Sequence, residues 1–204
     1  MKKLSVFLSA LSLSFCLAAE SADVIIYGGT SAGVAAAVQA RRMGVRPILI
    51  EPTKRLGGLT TGGLGQTDIG RKDAFGGLAR QFYRDVKAYY ADDANWRNQT
   101  RATYMPNGQS AYAPEEDAMW TFEPSAALKI LERWITEAGV DVVYGERLDR
   151  SVDGVVKKDG RIVSIKMVSG KTFKGRMFLD CTYEGDLMAA AGVTYTVGRE
   201  ANAQ

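Results

Sequence analysis

The feature that most constrains this chain is a glycine-rich turn between an apolar run and an alanine-rich segment. Residues 23–27 read DVIIY, residues 28–33 read GGTSAG, and the sequence VAAAVQARRMG follows, ending at Gly44. An apolar run that ends in glycine is typical of a buried parallel strand, and the alanine-rich segment predicts a helix packed closely on a sheet. Residues 47–51 (PILIE) predict a second buried strand. The chain therefore begins with a βαβ unit, which indicates an α/β fold.

The turn itself matches most of a dinucleotide-binding pattern. Such a turn needs glycine at its first and sixth positions and a small residue at its third. Gly28 and Gly33 meet the outer requirements, and Thr30 at the third position offers a hydroxyl donor to phosphate. The helix N-terminus carries about half a positive elementary charge, which suits a diphosphate. The alternative is an ordinary tight strand-to-helix turn that binds nothing.

An acidic residue and a second glycine-rich segment follow the turn. Glu51 ends the second predicted strand, where a carboxylate accepts hydrogen bonds from ribose hydroxyls and disfavours the 2′-phosphate of NADP. Residues 55–65 (RLGGLTTGGLG) can lie along an elongated cofactor, whereas simple NAD domains proceed directly to another helix. These features favour FAD over NAD. The alternatives are a solvated carboxylate and a flexible surface loop.

The middle of the chain predicts two helices and a long insertion. Apolar residues with helical spacing mark residues 78–90 and 125–138, and residues 140–144 predict a strand after the second helix. Residues 91–122 are irregular, polar and aromatic, and they are too long for an ordinary connection. We expect the aromatic residues of this insertion to pack the long loop, with stacking on sugar rings as the alternative: Trp96, Tyr104, Tyr112 and Trp120.

The C-terminal part predicts a change from antiparallel to parallel pairing. Residues 147–175 alternate between apolar and polar side chains and contain two glycine turns, which predicts an antiparallel β-meander. Residues 177–181 (MFLDC) predict a buried parallel strand, and residues 184–191 predict a short helix. The predicted fold is therefore α/β, a Rossmann-like domain whose parallel sheet is interrupted by a β-meander and a long insertion.

Composition excludes several kinds of site from this stretch. The 204 residues contain no His, which excludes a Ser-His-Asp triad and His metal ligands. Cys16 and Cys181 are the two cysteines, so we expect neither an internal disulfide nor a metal site in the mature chain. The net charge is +3 without a run of Lys or Arg, so a nucleic-acid partner is not expected.

Residues 1–19 are typical of a secretory signal peptide. Lys2 and Lys3 provide the positive start, residues 4–17 are apolar, and residues 17–19 (LAA) offer small side chains for cleavage. The apolar run is shorter than the roughly 20 residues that span a bilayer. We expect export to the periplasm or the extracellular space, without membrane attachment after cleavage. The alternatives are a buried N-terminal helix or a membrane anchor.

Five stretches together resemble the FAD-dependent oxidoreductases of the glutathione-reductase-like superfamily, in an exported bacterial branch sometimes labelled "xanthan lyase". Members of that family are longer, so the resemblance implies that residues 20–204 are a partial FAD-binding domain. The chain would then be an N-terminal fragment that is incomplete at its C-terminus and lacks the substrate domain. The resembling stretches are DVIIYGGTSAGVAAAVQARRMG, LIEPTKRLGGLTTGGLGQTD, GLARQFYRDV, TFEPSAAL and FLDCTYEGDLMAAAGVTYTVGREANAQ.

The resemblance also implies a cofactor path along the chain. No catalytic acid or base is identified, since helix capping explains Glu184 and Asp186 at least as well as a role beside the cofactor. The implied contacts are Gly28, Gly29, Thr30, Ser31, Ala32 and Gly33 at the pyrophosphate, Glu51 at the adenosine ribose, Arg55, Gly57, Gly58, Leu59 and Thr60 along the diphosphate and ribityl chain, Leu148 at adenine, and Thr182 beside the cofactor.

The expected function is flavin-dependent hydride or electron transfer between a small-molecule or saccharide substrate and an unknown electron acceptor. One alternative is an NAD-dependent dehydrogenase, which the glycine-rich segment and the meander disfavour. Another is a polysaccharide lyase or a non-catalytic saccharide-binding module. The absence of His argues against a lyase, because such enzymes commonly use His, Tyr or Arg near the scissile bond.

Overall fold

The computed structural model describes residues 19–104 and 115–199, so most of the predicted signal peptide and Tyr112 lie outside the described residues. Within these ranges, no helix is long and apolar enough to cross a membrane. The strands are β1 (Glu20–Tyr27), β2 (Pro47–Glu51), β3 (Asp141–Tyr144), β4 (Val155–Lys158), β5 (Arg161–Lys166) and β6 (Thr172–Asp180), and the helices are α1 (Ser31–Arg42), α2 (Leu59–Gly62), α3 (Gly77–Tyr89), α4 (Pro124–Ala138) and α5 (Asp186–Ala190).

The six strands form one sheet in the order β3-β2-β1-β6-β5-β4. Strands β3, β2, β1 and β6 pair in parallel, whereas β5 pairs antiparallel with both β6 and β4. The parallel part carries the βαβ unit, and the antiparallel part is the meander. This arrangement confirms the predicted α/β class with a Rossmann-like parallel sheet.

Strand β6 differs from the prediction, which separated the meander from a buried strand at residues 177–181. The structure joins them, because residues 172–174 pair antiparallel with β5 and residues 173–180 pair in parallel with β1. The prediction that the parallel end of β6 is buried was also wrong for one of its two faces. Met177 and Leu179 are 55% and 39% exposed, since no described element covers that side of the strand.

Local signals account for the ends of the longer helices. Helix α4 begins at Pro124, whose fixed φ suits the first helical position, and is followed by Gly139 in the left-handed conformation, with φ +64°. Helix α1 is followed by Gly44, with φ +75°. The glycine-rich segment, for which no helix was predicted, contains the four-residue helix α2.

The core of the sheet has two parts, one on each face, and Ile69, Ala118 and Trp120 form a third, smaller cluster. Alternating side chains of β1 and β2 separate the two parts of the sheet's core, because successive strand residues point to opposite faces. Ile26 and Leu49 pack against α1, α3 and α4, whereas Ile25 and Ile48 pack against the meander. The parallel strands therefore run through the middle of the domain, and their carboxyl ends meet at one edge, where α/β sheets bind ligands.

The described part of the insertion returns to the glycine-rich segment. Gln66 pairs with Thr121 in an isolated antiparallel bridge, and Phe122 N donates to Gly65 O at 3.0 Å. Trp120 is 1% exposed and packs with Phe75 and Tyr83. Of the two uses predicted for the aromatic residues, packing is therefore correct for Trp120, and stacking on sugars is wrong for it.

Candidate cofactor-binding site

The turn between β1 and α1 has backbone geometry that requires glycine at two positions. Gly28 has φ +103°, and a Cβ there would lie 2.7 Å from the backbone of Cys181 and of Thr182. A Cβ on Gly33 would overlap the carbonyl oxygen of Gly28. Since Gly33 lies in the first turn of α1, the missing side chain lets the helix begin directly against the end of the strand.

Thr30 is the N-cap of α1 and ties the turn to β6. Its hydroxyl accepts a hydrogen bond from Gly33 N at 3.4 Å and donates to Cys181 O at 2.8 Å. Because a hydroxyl has one proton to donate, this structure differs from the expectation that Thr30 donates to phosphate. The backbone N–H groups of Ser31 and Ala32, in the first turn of the helix, lack intrahelical acceptors and are suited to bind an anion.

Glu51 is fixed beside the turn by two backbone groups. Its Oε2 accepts from Gly29 N and its Oε1 accepts from Thr53 N, both at 2.7 Å. The residue is 6% exposed. A carboxylate has about four lone-pair positions, so two bonds hold its orientation and the remaining positions can accept ribose hydroxyls. The structure thus brings Glu51 to the turn, as a dinucleotide site requires.

The glycine-rich segment runs directly alongside the turn. Gly57 N donates to Gly29 O at 2.7 Å, and Gly57 forms a parallel bridge with Thr30. The Ser31 hydroxyl donates to the Thr60 hydroxyl at 2.7 Å. These contacts place two predicted pyrophosphate-binding segments side by side at the N-terminus of α1.

The far side of this segment is held by a charged and an aromatic side chain. The Arg55 guanidinium donates to Thr61 O through Nε at 3.0 Å and Nη2 at 2.7 Å. The Tyr183 hydroxyl accepts from Leu59 N at 2.8 Å and lies where a Cβ on Gly58 would be. Tyr183 was not predicted as a site residue, and it is the group that joins the glycine-rich segment to the turn after β6.

Asp180 organises that second turn. Its Oδ1 accepts from Thr182 N at 3.0 Å and from the Thr182 hydroxyl at 2.7 Å, and its Oδ2 accepts from Met188 N at 2.8 Å. Gly185 N in turn donates to the Thr182 hydroxyl at 2.9 Å. Thr182 therefore lies beside Gly28, its hydroxyl is part of the turn's own hydrogen bonds, and its contact with the cofactor stays a prediction.

These segments enclose a cleft of about 290 Å³. This volume is at the lower end of the usual range for ligand pockets, so it suits the nucleotide part of FAD rather than the whole molecule. Six of the predicted residues meet there, together with four that were not predicted. The lining residues are Gly28, Thr30, Glu51, Arg55, Gly58 and Thr182 from the prediction, and Pro52, Thr53, Tyr183 and Glu184 in addition.

Leu148, predicted to present its backbone to adenine, is buried and does not line this cleft. Its backbone N–H donates to the Tyr27 hydroxyl at 2.9 Å. Burial is the main cause that raises the pKa of Tyr27, so the phenol stays neutral at ordinary pH. The Leu148 N–H thus has an internal acceptor, and contact with adenine at this position stays a prediction.

Comparisons with known proteins agree with this geometry. A family model described as FAD dependent oxidoreductase matches residues 23–204. No curated protein matches the chain. Among solved structures, the L-proline dehydrogenase from P. horikoshii aligns with a TM-score of 0.54 and 16% identity, over 89% of this chain and 58% of that one.

Two further solved structures give a similar result. The L-amino acid deaminase from Proteus vulgaris has a TM-score of 0.54 and 14% identity, over 91% of this chain and 51% of that one. A geranylgeranyl bacteriochlorophyll reductase-like protein from Thermoplasma acidophilum has a TM-score of 0.53 and 20% identity, over 86% of this chain and 43% of that one. At such identities the likeness shows the fold, and this chain spans about half the length of these proteins.

Proposed function

The chain belongs to the FAD-dependent oxidoreductase family, and we propose that it forms the nucleotide-binding part of an exported flavoenzyme. Its cofactor is FAD, as the sequence predicted. Bound FAD supplies the redox chemistry by accepting a hydride or electrons, while the protein supplies binding and orientation. Export is proposed from the charged start and apolar run of residues 1–19.

One observation carries the assignment to individual residues. The N–H of Gly29 donates to Glu51, and the carbonyl oxygen of Gly29 accepts from Gly57 N. Two segments that lie 22 and 28 residues further along the chain therefore both bond to this one glycine. An ordinary strand-to-helix turn does not need this arrangement. A dinucleotide does, because its ribose and its diphosphate must be bound a short distance apart at one helix N-terminus.

The residues of the chain have separate roles in this proposal. The amides of Ser31 and Ala32 bind the diphosphate, and Glu51 accepts the adenosine ribose hydroxyls. Gly28 and Gly58 let the turn after β6 approach closely, because the backbone of Cys181 and Thr182 and the Tyr183 hydroxyl occupy the places of their missing side chains. The buried carboxylate also disfavours a 2′-phosphate, because two negative charges would be brought together in a poorly solvated place.

The proposal is tested by identifying the nucleotide that the purified protein carries. We expect a flavin absorption spectrum and release of FAD on denaturation. Gly33→Ala should lose the bound FAD, because its Cβ overlaps Gly28 O. Gly70→Ala is the matched control, since an added Cβ there meets nothing within 4 Å.

Three results would contradict the assignment. Release of NAD would show that the cofactor is NAD. A protein that cannot be reconstituted with FAD would show that FAD is not its cofactor. Equal FAD content in Gly33→Ala and Gly70→Ala would show that FAD binds elsewhere. Circular dichroism of both variants checks that the Gly33→Ala protein is folded when its flavin content is measured.

A further inference from the structure

A second cavity, of about 470 Å³, begins where the glycine-rich segment ends. Its lining comes from Gly63, Gly65 and Gln66 at the end of that segment, from residues 95–99, and from Met119 and residues 121–124. Because Gly63 directly follows α2, the cavity adjoins the segment predicted to border the ribityl chain of FAD. It lies outside the nucleotide cleft and shares no lining residue with it.

The aromatic residues of the lining are held in place by their neighbours. Trp96 lies between Tyr90 and Tyr104, with ring centroids 5.0 and 5.2 Å away. The indole N–H of Trp96 donates to Tyr90 O at 2.8 Å, which fixes the plane of the ring. Phe122 packs edge-to-face on Phe82 with centroids 5.3 Å apart. Trp96 and Phe122 therefore offer rigid apolar surface to the cavity, so a ligand that contacts them binds at low entropic cost.

The same two segments also bring polar groups to the cavity. The Glu123 carboxylate accepts from the Tyr90 hydroxyl at 3.2 Å and from Asn98 Nδ2 at 2.6 Å. Thr121 is only 9% exposed and lines the cavity, and its hydroxyl has no hydrogen-bond partner among the described residues. A buried hydroxyl without a partner costs stability, so Thr121 is suited to pair with a bound ligand.

This combination points to one class of ligand. A sugar ring has an apolar C–H face that packs on aromatic rings and hydroxyl groups that both donate and accept hydrogen bonds. Carboxylate, amide and hydroxyl groups such as those of Glu123, Asn98 and Thr121 satisfy such hydroxyls. Arg97 and Glu123 carry the charges of the lining and offset each other, which favours a neutral ligand over a phosphorylated or uronic one.

We propose that this cavity is a binding site for a neutral oligosaccharide. That the saccharide is the substrate of the flavin rests on the function proposed above, whereas binding itself does not. The cavity volume falls within the range for small-molecule sites. Its position beside the glycine-rich segment would bring a sugar hydroxyl next to the cofactor path.

The test is isothermal titration calorimetry of the purified protein, loaded with FAD and stripped of it. The probes are cellopentaose, maltopentaose and mannopentaose, with pentagalacturonate as the anionic comparison. We expect at least one neutral probe to bind with a dissociation constant of about 1 mM or below. Trp96→Ala should weaken that binding about tenfold, since it removes the stacking surface.

Thr121→Val separates a ligand-binding role from a structural one. This substitution should weaken binding of the neutral probe. It should also raise the thermal midpoint of the unliganded protein, because the unpartnered hydroxyl is removed. Thr136→Val is the matched control, since its hydroxyl bonds Glu132 O on the exposed side of α4. The control should leave binding unchanged.

The outcomes distinguish this proposal from the cofactor assignment. Failure of every neutral probe to bind overturns the saccharide site, as does equal binding by wild type, Trp96→Ala and Thr121→Val. Tighter binding of pentagalacturonate than of every neutral probe overturns the assignment to a neutral ligand. If a probe binds to a protein that cannot take up FAD, the saccharide site is supported and only the flavoenzyme proposal is refuted.

Discussion

At the scale of single residues, Glu51 links the stability of the site to its affinity for nucleotide. Both carboxylate oxygens accept backbone N–H groups at 2.7 Å, from Gly29 and Thr53. An amide can accept at one position only, and its NH₂ group would face the other N–H. We therefore expect Glu51→Gln to lower the free energy of unfolding by about 1.5–3 kcal/mol and to weaken FAD binding as well.

Chemical denaturation and FAD titration measure the two effects of Glu51→Gln. Glu137→Gln serves as the control, because the side chain of Glu137 is 64% exposed. If Glu51→Gln behaved like that control in both measurements, the carboxylate would hold neither the turn nor the ribose.

Site residues that are recognised by their type and their spacing in the sequence could be predicted. Gly28, Gly33 and Glu51 occupy positions that any dinucleotide-binding turn must fill, so residue type and spacing were enough. Tyr183 and Asp180 could not be predicted, because their contacts depend on how β6 is placed next to β1. The Tyr183 hydroxyl meets Leu59 N across 124 residues of sequence, and no local pattern records such a contact.

At the scale of elements, Asp180 connects the end of β6 to the start of α5. Both of its oxygens accept backbone N–H groups, from Thr182 and from Met188. We expect Asp180→Asn to lower the free energy of unfolding by about 1 kcal/mol. It should also speed amide hydrogen exchange at Gly185 and Met188, because the turn loses an acceptor.

Hydrogen exchange followed by NMR or mass spectrometry checks this expectation. Asp186→Asn is the control, since the Asp186 carboxylate makes a 3.2 Å ion pair with Arg150, whose side chain is 70% exposed. Equal exchange rates in Asp180→Asn and the wild type would show that the turn does not depend on this side chain.

The predictability of elements follows the range of the interactions that define them. Helix α4 has Pro124 at its start and Gly139 after its end, and β2 is a short apolar run, so β2 was predicted with its bounds and α4 to within one residue. Strand β6 changes its partner along its length, from β5 to β1. That change is set by neighbours that are remote in sequence, and the alternation pattern alone does not reveal it.

At the scale of the whole molecule, Glu146 joins the parallel part of the sheet to the meander. It follows β3 and accepts from the Ser169 hydroxyl at 2.5 Å, and it pairs with Lys171 at 2.9 Å. Burial alone raises the pKa of Glu146, but the bonds from Ser169 and Lys171 outweigh this effect and hold the pKa below its ordinary value. A carboxyl group with a lowered folded pKa stabilises the protein only while it is ionised.

This shift predicts how stability depends on pH. The contribution of Glu146 is present above the unfolded pKa of about 4.3 and is lost as pH falls through the lower folded value. Glu146→Gln should therefore reduce stability at neutral pH and flatten its fall in acid. Thermal midpoints measured from pH 7 downwards test this, with Glu137→Gln as the control. Parallel curves for Glu146→Gln and wild type would contradict it.

The pairing of β1 with β6 has a consequence for biosynthesis. The Thr30 hydroxyl bonds Cys181 O across 151 residues, so the nascent chain contains one half of the nucleotide site long before the other half exists. At about 5–20 residues per second, translation leaves the edge of β1 without its partner for roughly 8–30 s. Throughout that interval, an apolar strand is open to wrong pairing while still on the ribosome, and a chaperone that shields it would raise the yield of folded protein.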